Sequence, residues 1–511
     1  MRILIWHGWL LEGAGSNVYT ARVTEVWRRW GHDVLLLCQE RHPERYDFLD
    51  AWGTVGADGM SPLESAERAA ASGRAVLLRP DIGALLPVFV YDEYEGFDVK
   101  RFIDLGEDEL EGYLERNAAA LRTAVGWHGP DAVISGHAIP GPVIARRALG
   151  PGGYVAKIHG SDLEYAVRLQ DRYRRLAGEG LSGARAVVGA SADVLARTME
   201  LVPEAGVRTR VVYPGVDVQR FRPQERRTAL TLAAERLSVD PDARRGRPGR
   251  FDDAVRQALQ DRDREPLERL ALGYDQGAAD PEASNRLDDL ARSGGPLVGY
   301  IGKFIPQKGV HLLLSALALS SPRPHGLLIG FGLFREWLVA LLHALDAGDG
   351  DSVQWLEGEA FSELRELTPE AVHEARGLAR RVTFTGRLDH RYAPECLAAL
   401  DVLVVPSILD EAFGMVAAEG AAAGALPLVA RHSGLAEVAG VLERDVGQPE
   451  LFSFEPGPGA VARIARGLDR LLGLQREERE ELRAAVGAVV DREWTWERTA
   501  ERLVEAATAP D

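Results

Sequence analysis

The 511-residue sequence predicts an α/β protein of two Rossmann-like, doubly wound domains with a charged helical insertion between them. Three observations carry that expectation. Short apolar runs alternate with helical patterns, the mark of parallel sheets covered on both faces. The alternation occurs twice, over residues 1–223 and again over 295–493. The length also exceeds what a single hydrophobic core usually serves.

In the first series, RILIW (2–6), DVLLLC (33–38), AVLLR (75–79), DAVISGH (131–137), YVAKIH (154–159) and AVVGAS (186–191) read as buried strands. SNVYTARVTEVWRRWG predicts a helix with Ser16 as N-cap, Val18, Val23, Val26 and Trp27 on one face, and Gly31 just past its end. Over 224–294 the texture changes to Arg, Asp and Glu without a strand pattern. There Phe251, Val255 and Leu259 recur at i, i+4 and i+8, so the segment reads as a helical insertion with flexible joints. The second series is PLVGYIGK, GLLIGFG, RVTFTGRL, DVLVVPS and LPLVARHSG, with a smaller polar excursion at 346–380. Trp494 and Trp496 introduce a last amphipathic helix, over 494–511, whose role reads as structural.

The balance of 60 basic against 77 acidic residues gives a net charge of −17, which argues against a nucleic-acid partner that needs a broad basic face. Cys38 and Cys396 form neither a metal spacing nor a disulfide framework, which fits a reducing compartment. No run of 18 apolar residues marks a transmembrane segment, and MRILIWHGWLLEGAG reads as a strand rather than a leader. These features together predict a cytoplasmic location.

Chemistry concentrates in GYIGKFIPQKGVHLLLSAL. Among the basic residues only four are lysine, and two of them, Lys303 and Lys308, stand five positions apart after one strand; the others are Lys100 and Lys157. Open parallel sheets bind ligands at the carboxyl ends of their strands, and two cations beside a helix start suit a diphosphate. Downstream lie Glu411 and Glu419, the latter in a small-residue helix where an unpaired carboxylate is costly. Eight residues at ~1.5 Å each would set these glutamates ~12 Å apart, beyond the ~5–9.5 Å of glycosidase pairs. His159, His7 and His137 each end a strand. Gly13 and Gly15 begin a dinucleotide-like pattern, but its third glycine position is Val18 and the glycines stand too far beyond Trp6. No histidine pair has ligand spacing backed by a third ligand, so no metal site is expected.

GKFIPQKGV, DVLVVPSILDEAFGMVAAEGAAAG and SGLAEV, together with IHGSDLE (158–164) and VVYPGVDVQRFRP (211–223), resemble the retaining GT-B glycosyltransferases of family 4. The resemblance implies two domains facing a cleft and transfer of a sugar from a nucleoside-diphosphate sugar donor to an acceptor hydroxyl, without a metal or other cofactor. Lys303 and Lys308 would hold the diphosphate, Glu411 the sugar hydroxyls and Glu419 the ribose. The backbone amides of Phe413, Gly414 and Met415 would hold sugar and phosphate, and Arg387 and Leu388 would border the base. His159 would face the donor sugar, and Gly13-Ala14-Gly15 would form the glycine-rich loop near diphosphate and acceptor. Glu437 would complete the site wall or a helix cap, and the last helix would cross back onto the first domain. The family usually has arginine where this chain has Lys303, and a plain double glycine where it has GAG. A sugar-nucleotide 2-epimerase and a non-catalytic nucleotide-sugar-binding protein are the alternatives on the same architecture. The base, sugar, acceptor and oligomeric state are not encoded in these motifs.

Overall fold

The computed structural model describes all residues except 12, 14, 67–71, 91–93, 206–207, 362–366 and 510–511. The chain divides into two compact units: Met1–Gly215 with Trp494–Asp511, and Val216–Glu493.

In the first unit, strands β1 (Arg2–Trp6), β2 (Asp33–Leu37), β3 (Ala51–Gly56), β4 (Gly59–Met60), β5 (Glu64–Ser65) and β6 (Arg74–Pro80) precede a small parallel pair, β7 (Leu85–Val88) and β8 (Asp98–Arg101). Then follow β9 (Ala132–Gly136), β10 (Val155–Lys157), β11 (Ala186–Gly189) and β12 (Thr209–Val211). Among the described residues the main sheet runs β12-β11-β10-β9-β1-β2-β6-β3-β4, with β5 also on β3. It is parallel except where β4 and β5 turn back on β3. Ile3 of β1 sits opposite Val34 and Ala132, and this central strand is buried on both faces. The six apolar runs of the first series all became strands. Missing from the sequence reading are β3, β4, β5, β7, β8 and β12, which are short, glycine-bearing or partly exposed and so lack a continuous apolar run.

The first helix spans Gly15–Arg29, so Ser16 is not its N-cap. Gly13, at φ +91°, turns the chain early, and Ser16 lies within the first turn with its carbonyl accepting the Thr20 hydroxyl at 3.0 Å. Val23, Val26 and Trp27 are buried and Val18 half-buried. Gly31 ends the helix at φ +87°, a left-handed conformation that glycine adopts without steric cost. The last helix, Trp496–Thr508, closes the same core: the Trp27 indole donates to the Ala500 carbonyl at 3.1 Å and the Thr499 hydroxyl to the Tyr213 carbonyl at 2.8 Å.

The second unit holds β13 (Leu297–Lys303), β14 (His325–Phe331), β15 (Val382–Gly386), β16 (Val402–Val405), β17 (Leu426–Ala430) and β18 (Ser453–Phe454). They form a parallel sheet in the order β15-β14-β13-β16-β17-β18. All five predicted strands are present; β18 is a two-residue addition.

The second unit begins at Val216, earlier than the sequence boundary at 223, and residues 224–294 are built into it. Four helices occupy that stretch: Arg226–Val239, Phe251–Asp261, Arg264–Leu270 and Ala283–Arg292. Ala279 bridges Gly386 at the end of edge strand β15. Beside it the buried Asp280 carboxylate accepts hydrogen bonds from Arg335 at 2.6 Å and Arg286 at 2.9 Å. Arg247, also buried, donates to Glu336 at 2.8 Å, and Glu336 accepts the Tyr274 hydroxyl at 3.0 Å. The charge density of this stretch is partly interior, its arginines and carboxylates neutralised in pairs. Of the polar excursion at 346–380, residues 362–366 lie outside the described residues; the remainder includes helices Gly350–Glu359 and Pro369–Glu374. Among the described residues no helix is long and apolar enough to cross a membrane.

Candidate active site

A parallel sheet opens a crevice where its strand order reverses, because the loops from the two central strands leave in opposite directions. In the second unit this point lies between β13 and β16. The loop after β13 and the loop after β16 are stitched together there: the Ile408 and Leu409 amides donate to the Gln307 carbonyl at 2.8 and 3.1 Å. Gly309, at φ +67°, allows the approach, since a Cβ at that position would collide with the Pro406 carbonyl oxygen.

This closure brings the Lys308 ammonium onto the Glu411 carboxylate. Glu411 also accepts the Ser407 hydroxyl at 2.6 Å, while its own amide donates to Ser433 Oγ at 2.9 Å. His432 spans the Ser407 carbonyl at 2.7 Å and Asp410 at 3.2 Å. Burial opposes ionisation of Glu411, but the Lys308 ammonium and the Ser407 hydroxyl outweigh it and hold the carboxyl below its usual range.

Helix Met415–Ala423 starts from Gly414, at φ +99°, where a Cβ would strike Leu435. Phe413 is buried before it and Met415 is half-buried. Glu419 lies buried in this helix of small residues, 3.8 Å from His390 Nε2, and the His390 carbonyl accepts Arg220 at 2.6 Å. Glu437 is half-buried on the next helix, Ser433–Val446.

Lys303 takes a different partner from Lys308. Its ammonium lies 5.7 Å from the centre of the Phe331 ring, and the Arg387 guanidinium lies 5.1 Å from the same centre. The ends of β13, β14 and β15 thus meet at one aromatic ring bearing two cations. Arg387 is further tied by its amide to the Ala278 carbonyl at 3.2 Å, and Leu388 is buried.

Gly13, Gly15 and His159 belong to the first unit. Gly13 and Gly15 are exposed, and Ala14 lies outside the described residues. At the carboxyl edge of the first sheet, where its order reverses between β1 and β9, three imidazoles gather. His137 stands 4.6 Å from His159 and 6.2 Å from His7 between ring centres. Lys157, only 2% exposed, sits among them, donating to the Ile158 carbonyl at 2.9 Å with its ammonium 4.8 Å from the Tyr19 ring centre. Asp162, also buried, accepts the Gly160 amide at 2.7 Å and the Ala138 amide. Burial lowers His7 to about 4, pushes His137 and His159 well below the usual imidazole value, and lowers Lys157 to about 7 against the pull of Asp162.

Sequence reasoning did not single out Ser407, His432, His390, Phe331 or Asp162, although Ser407 lies in DVLVVPSILDEAFGMVAAEGAAAG and Asp162 in IHGSDLE. Lys157 did leave a signal, as a lysine inside a buried strand of a lysine-poor chain. Among the described residues no group of three or more His, Cys, Asp or Glu is placed to hold a metal ion.

Residues 284–486 match the family described as glycosyl transferases group 1. The chain is 29% identical over 285 residues to a 2-deoxystreptamine glucosyltransferase of Streptomyces kanamyceticus, covering 56% of this chain and 60% of that protein. It is 31% identical over 198 residues to a 2-deoxystreptamine N-acetyl-D-glucosaminyltransferase of Streptomyces fradiae, covering 36% and 38%. It is 27% identical over 481 residues to a D-inositol 3-phosphate glycosyltransferase of Thermomonospora curvata, covering 90% and 92%. The chain therefore spans 60% or less of the length of the first two relatives. The sucrose-phosphate synthase of Thermosynechococcus elongatus superposes with a TM-score of 0.57 at 18% identity, covering 99% and 97% of the two chains. Anabaena HepE in complex with UDP superposes with a TM-score of 0.56 at 15% identity over the full length of both. The chain has the GT-B fold, and its residues 284–486 match the model of the glycosyl transferases group 1.

Proposed function

We propose that the protein is a retaining glycosyltransferase that moves a sugar from a nucleoside-diphosphate sugar to a ring-polyol hydroxyl without a bound metal. The observation that carries this reading is the Lys308–Glu411 pair at the strand-order reversal of the second sheet. An ammonium and a carboxylate held side by side suit a ligand with phosphate next to sugar. Lys308 and Lys303 neutralise the diphosphate and the charge that grows on its leaving oxygen. Glu411 accepts hydrogen bonds from the sugar, Glu419 from the ribose, and the amides of Phe413, Gly414 and Met415 hold the sugar and phosphate. Arg387 and Leu388 border the base, and His159 of the first unit serves the sugar. The leaving diphosphate takes the acceptor proton on the same face, which keeps the anomeric configuration. Gly13 and Gly15 border the diphosphate and the acceptor. The ring-polyol acceptor rests on the relatives, two of which act on 2-deoxystreptamine and one on D-inositol 3-phosphate by name.

The test is thermal unfolding with UDP, GDP, ADP and TDP, each with and without magnesium. A ligand at ~100 times its Kd adds ~2.7 kcal/mol to the folded state. One nucleotide raising Tm without magnesium, and a transfer product whose anomeric proton coupling matches that of the donor, is the expected result. An inverted product, or no response to any of the four, overturns it.

A further inference from the structure

The carboxyl edge of the first sheet gathers more basic groups than it can ionise. His7 follows β1, His137 follows β9, Lys157 ends β10 and His159 lies two residues beyond it. Facing Lys157 from the first helix is Tyr19, its ring also edge-on to His159 at 5.5 Å and its hydroxyl buried without a hydrogen-bond partner. The last helix adds only Leu503 to the wall of the small cavity that Lys157 and His159 share. Asp162 supplies the opposing carboxylate; burial raises its titration, and the Gly160 and Ala138 amides that its oxygens accept work against that rise. Like charges this close in a low-dielectric interior repel strongly, so a single counter-charge supports a single cation.

We propose that Lys157 carries the one positive charge of this cluster and thereby keeps His159 neutral, as a positioning residue for the transfer reaction. The lysine amine is the most basic of the four groups, so it takes the proton first. Burial is the first cause of the depressed titration of His137 and His159, and the Lys157 ammonium raises the cost of protonating both further. His159 is the member that keeps an exposed edge. A neutral ring both donates and accepts hydrogen bonds toward a hydroxyl, whereas an imidazolium only donates and repels the positive charge that builds on a sugar during transfer. The role of His159 in transfer rests on the proposed function; the assignment of the charge does not.

The experiment is a pH titration of the imidazole Cε1–H resonances in the full chain, labelled at histidine and assigned by H7N, H137N and H159N. In the wild type the resonances of His7, His137 and His159 should stay at neutral-ring positions down to pH 5.5. Lys157→Met, uncharged and similar in length, should move the midpoint of His159 or His137 upward by at least one pH unit. Lys157→Arg, which keeps the charge, should retain the wild-type pattern. A wild-type His159 midpoint near 6.5, or unmoved midpoints in Lys157→Met, overturns the charge assignment. In kinetics, Lys157→Met should shift the acid limb of kcat upward by the same interval, with little change in KM for the nucleotide sugar. If the resonances shift and the acid limb does not, His159 has no part in transfer and the charge assignment stands.

Discussion

The Lys308 ammonium of the β13 loop rests against the Glu411 carboxylate, a pair 103 positions apart in the chain. Neither side chain reaches the other by local geometry; Gly309 and the shared Gln307 carbonyl bring the two loops together. Lys308→Met should leave Glu411 half-buried without its cation and cost ~1–3 kcal/mol. The sign in pH follows from the lowered Glu411 titration. That contribution is present above the ordinary carboxyl value and is lost as pH falls through the folded value, so the variant should lose less stability than the wild type between pH 5 and pH 3. Denaturant midpoints across this range read it directly. Turnover in the same variant should fall by at least ~10²-fold, and near-normal activity would remove Lys308 from the proposed chemistry.

Gly309→Ala tests the closure itself. Alanine at φ +67° costs roughly 1–2 kcal/mol, and its Cβ would also push Pro406 and the second loop away. We expect lower Tm together with weaker nucleotide affinity, read by calorimetry. Stability lost with affinity intact would separate the loop contact from the ligand site.

Glu419→Gln changes one oxygen in a buried position and removes the charge. On the proposed ribose contact, nucleoside diphosphates should bind about tenfold more weakly, close to the ~1.5 kcal/mol expected for one hydrogen bond to a charged group. Inorganic pyrophosphate should bind the variant and wild type alike. Equal losses for both ligands would place Glu419 elsewhere than at the ribose.

Asp280→Asn tests the insertion. The carboxylate is buried between Arg335 and Arg286, and removing one member of such a group typically costs ~3–5 kcal/mol. A marginal change in the denaturant midpoint would show that the 224–294 segment contributes little to the second unit.

Lys157→Met should stabilise the first unit. The lysine falls from 10.5 to about 7 on folding, through burial. Between those values the unfolded chain binds the extra proton, so stability rises with pH across the window, and the whole cost is felt below pH 7. A variant with higher Tm at pH 6.5, and a margin over wild type that shrinks toward pH 10, is the expected pattern. A lower Tm at pH 6.5 would mean that the ammonium gains more from Asp162 and Tyr19 than its burial costs.

Sheets and motif loops were legible because their causes are local in sequence. A buried parallel strand must be a short apolar run, and GKFIPQKGV and DEAFGMVAAEG put their polar groups where such strands end. Ser16 failed as a cap because the helix begins at Gly15, two residues before the Asn17 start that a Ser16 cap would set. The helices of the insertion were legible, but the pairing of Arg247 with Glu336 and of Asp280 with Arg335 was not, because the partners come from distant sequence. Phe331 followed the same logic: its meeting with Lys303 and Arg387 depends on three strands being neighbours, which no single run of residues announces.

The core of the first unit is discontinuous in the chain. Trp27 is finished only when Ala500 arrives, and Gly215 is backed by Trp496. During synthesis, therefore, the first-made sheet waits with an unfilled groove until the second unit has been translated in full. A premature stop near codon 494 would spare every group proposed for donor binding and still leave the earliest-translated unit with an open core, prone to aggregation or chaperone retention. Loss of residues 494–511 would be a folding lesion of the Met1–Gly215 sheet.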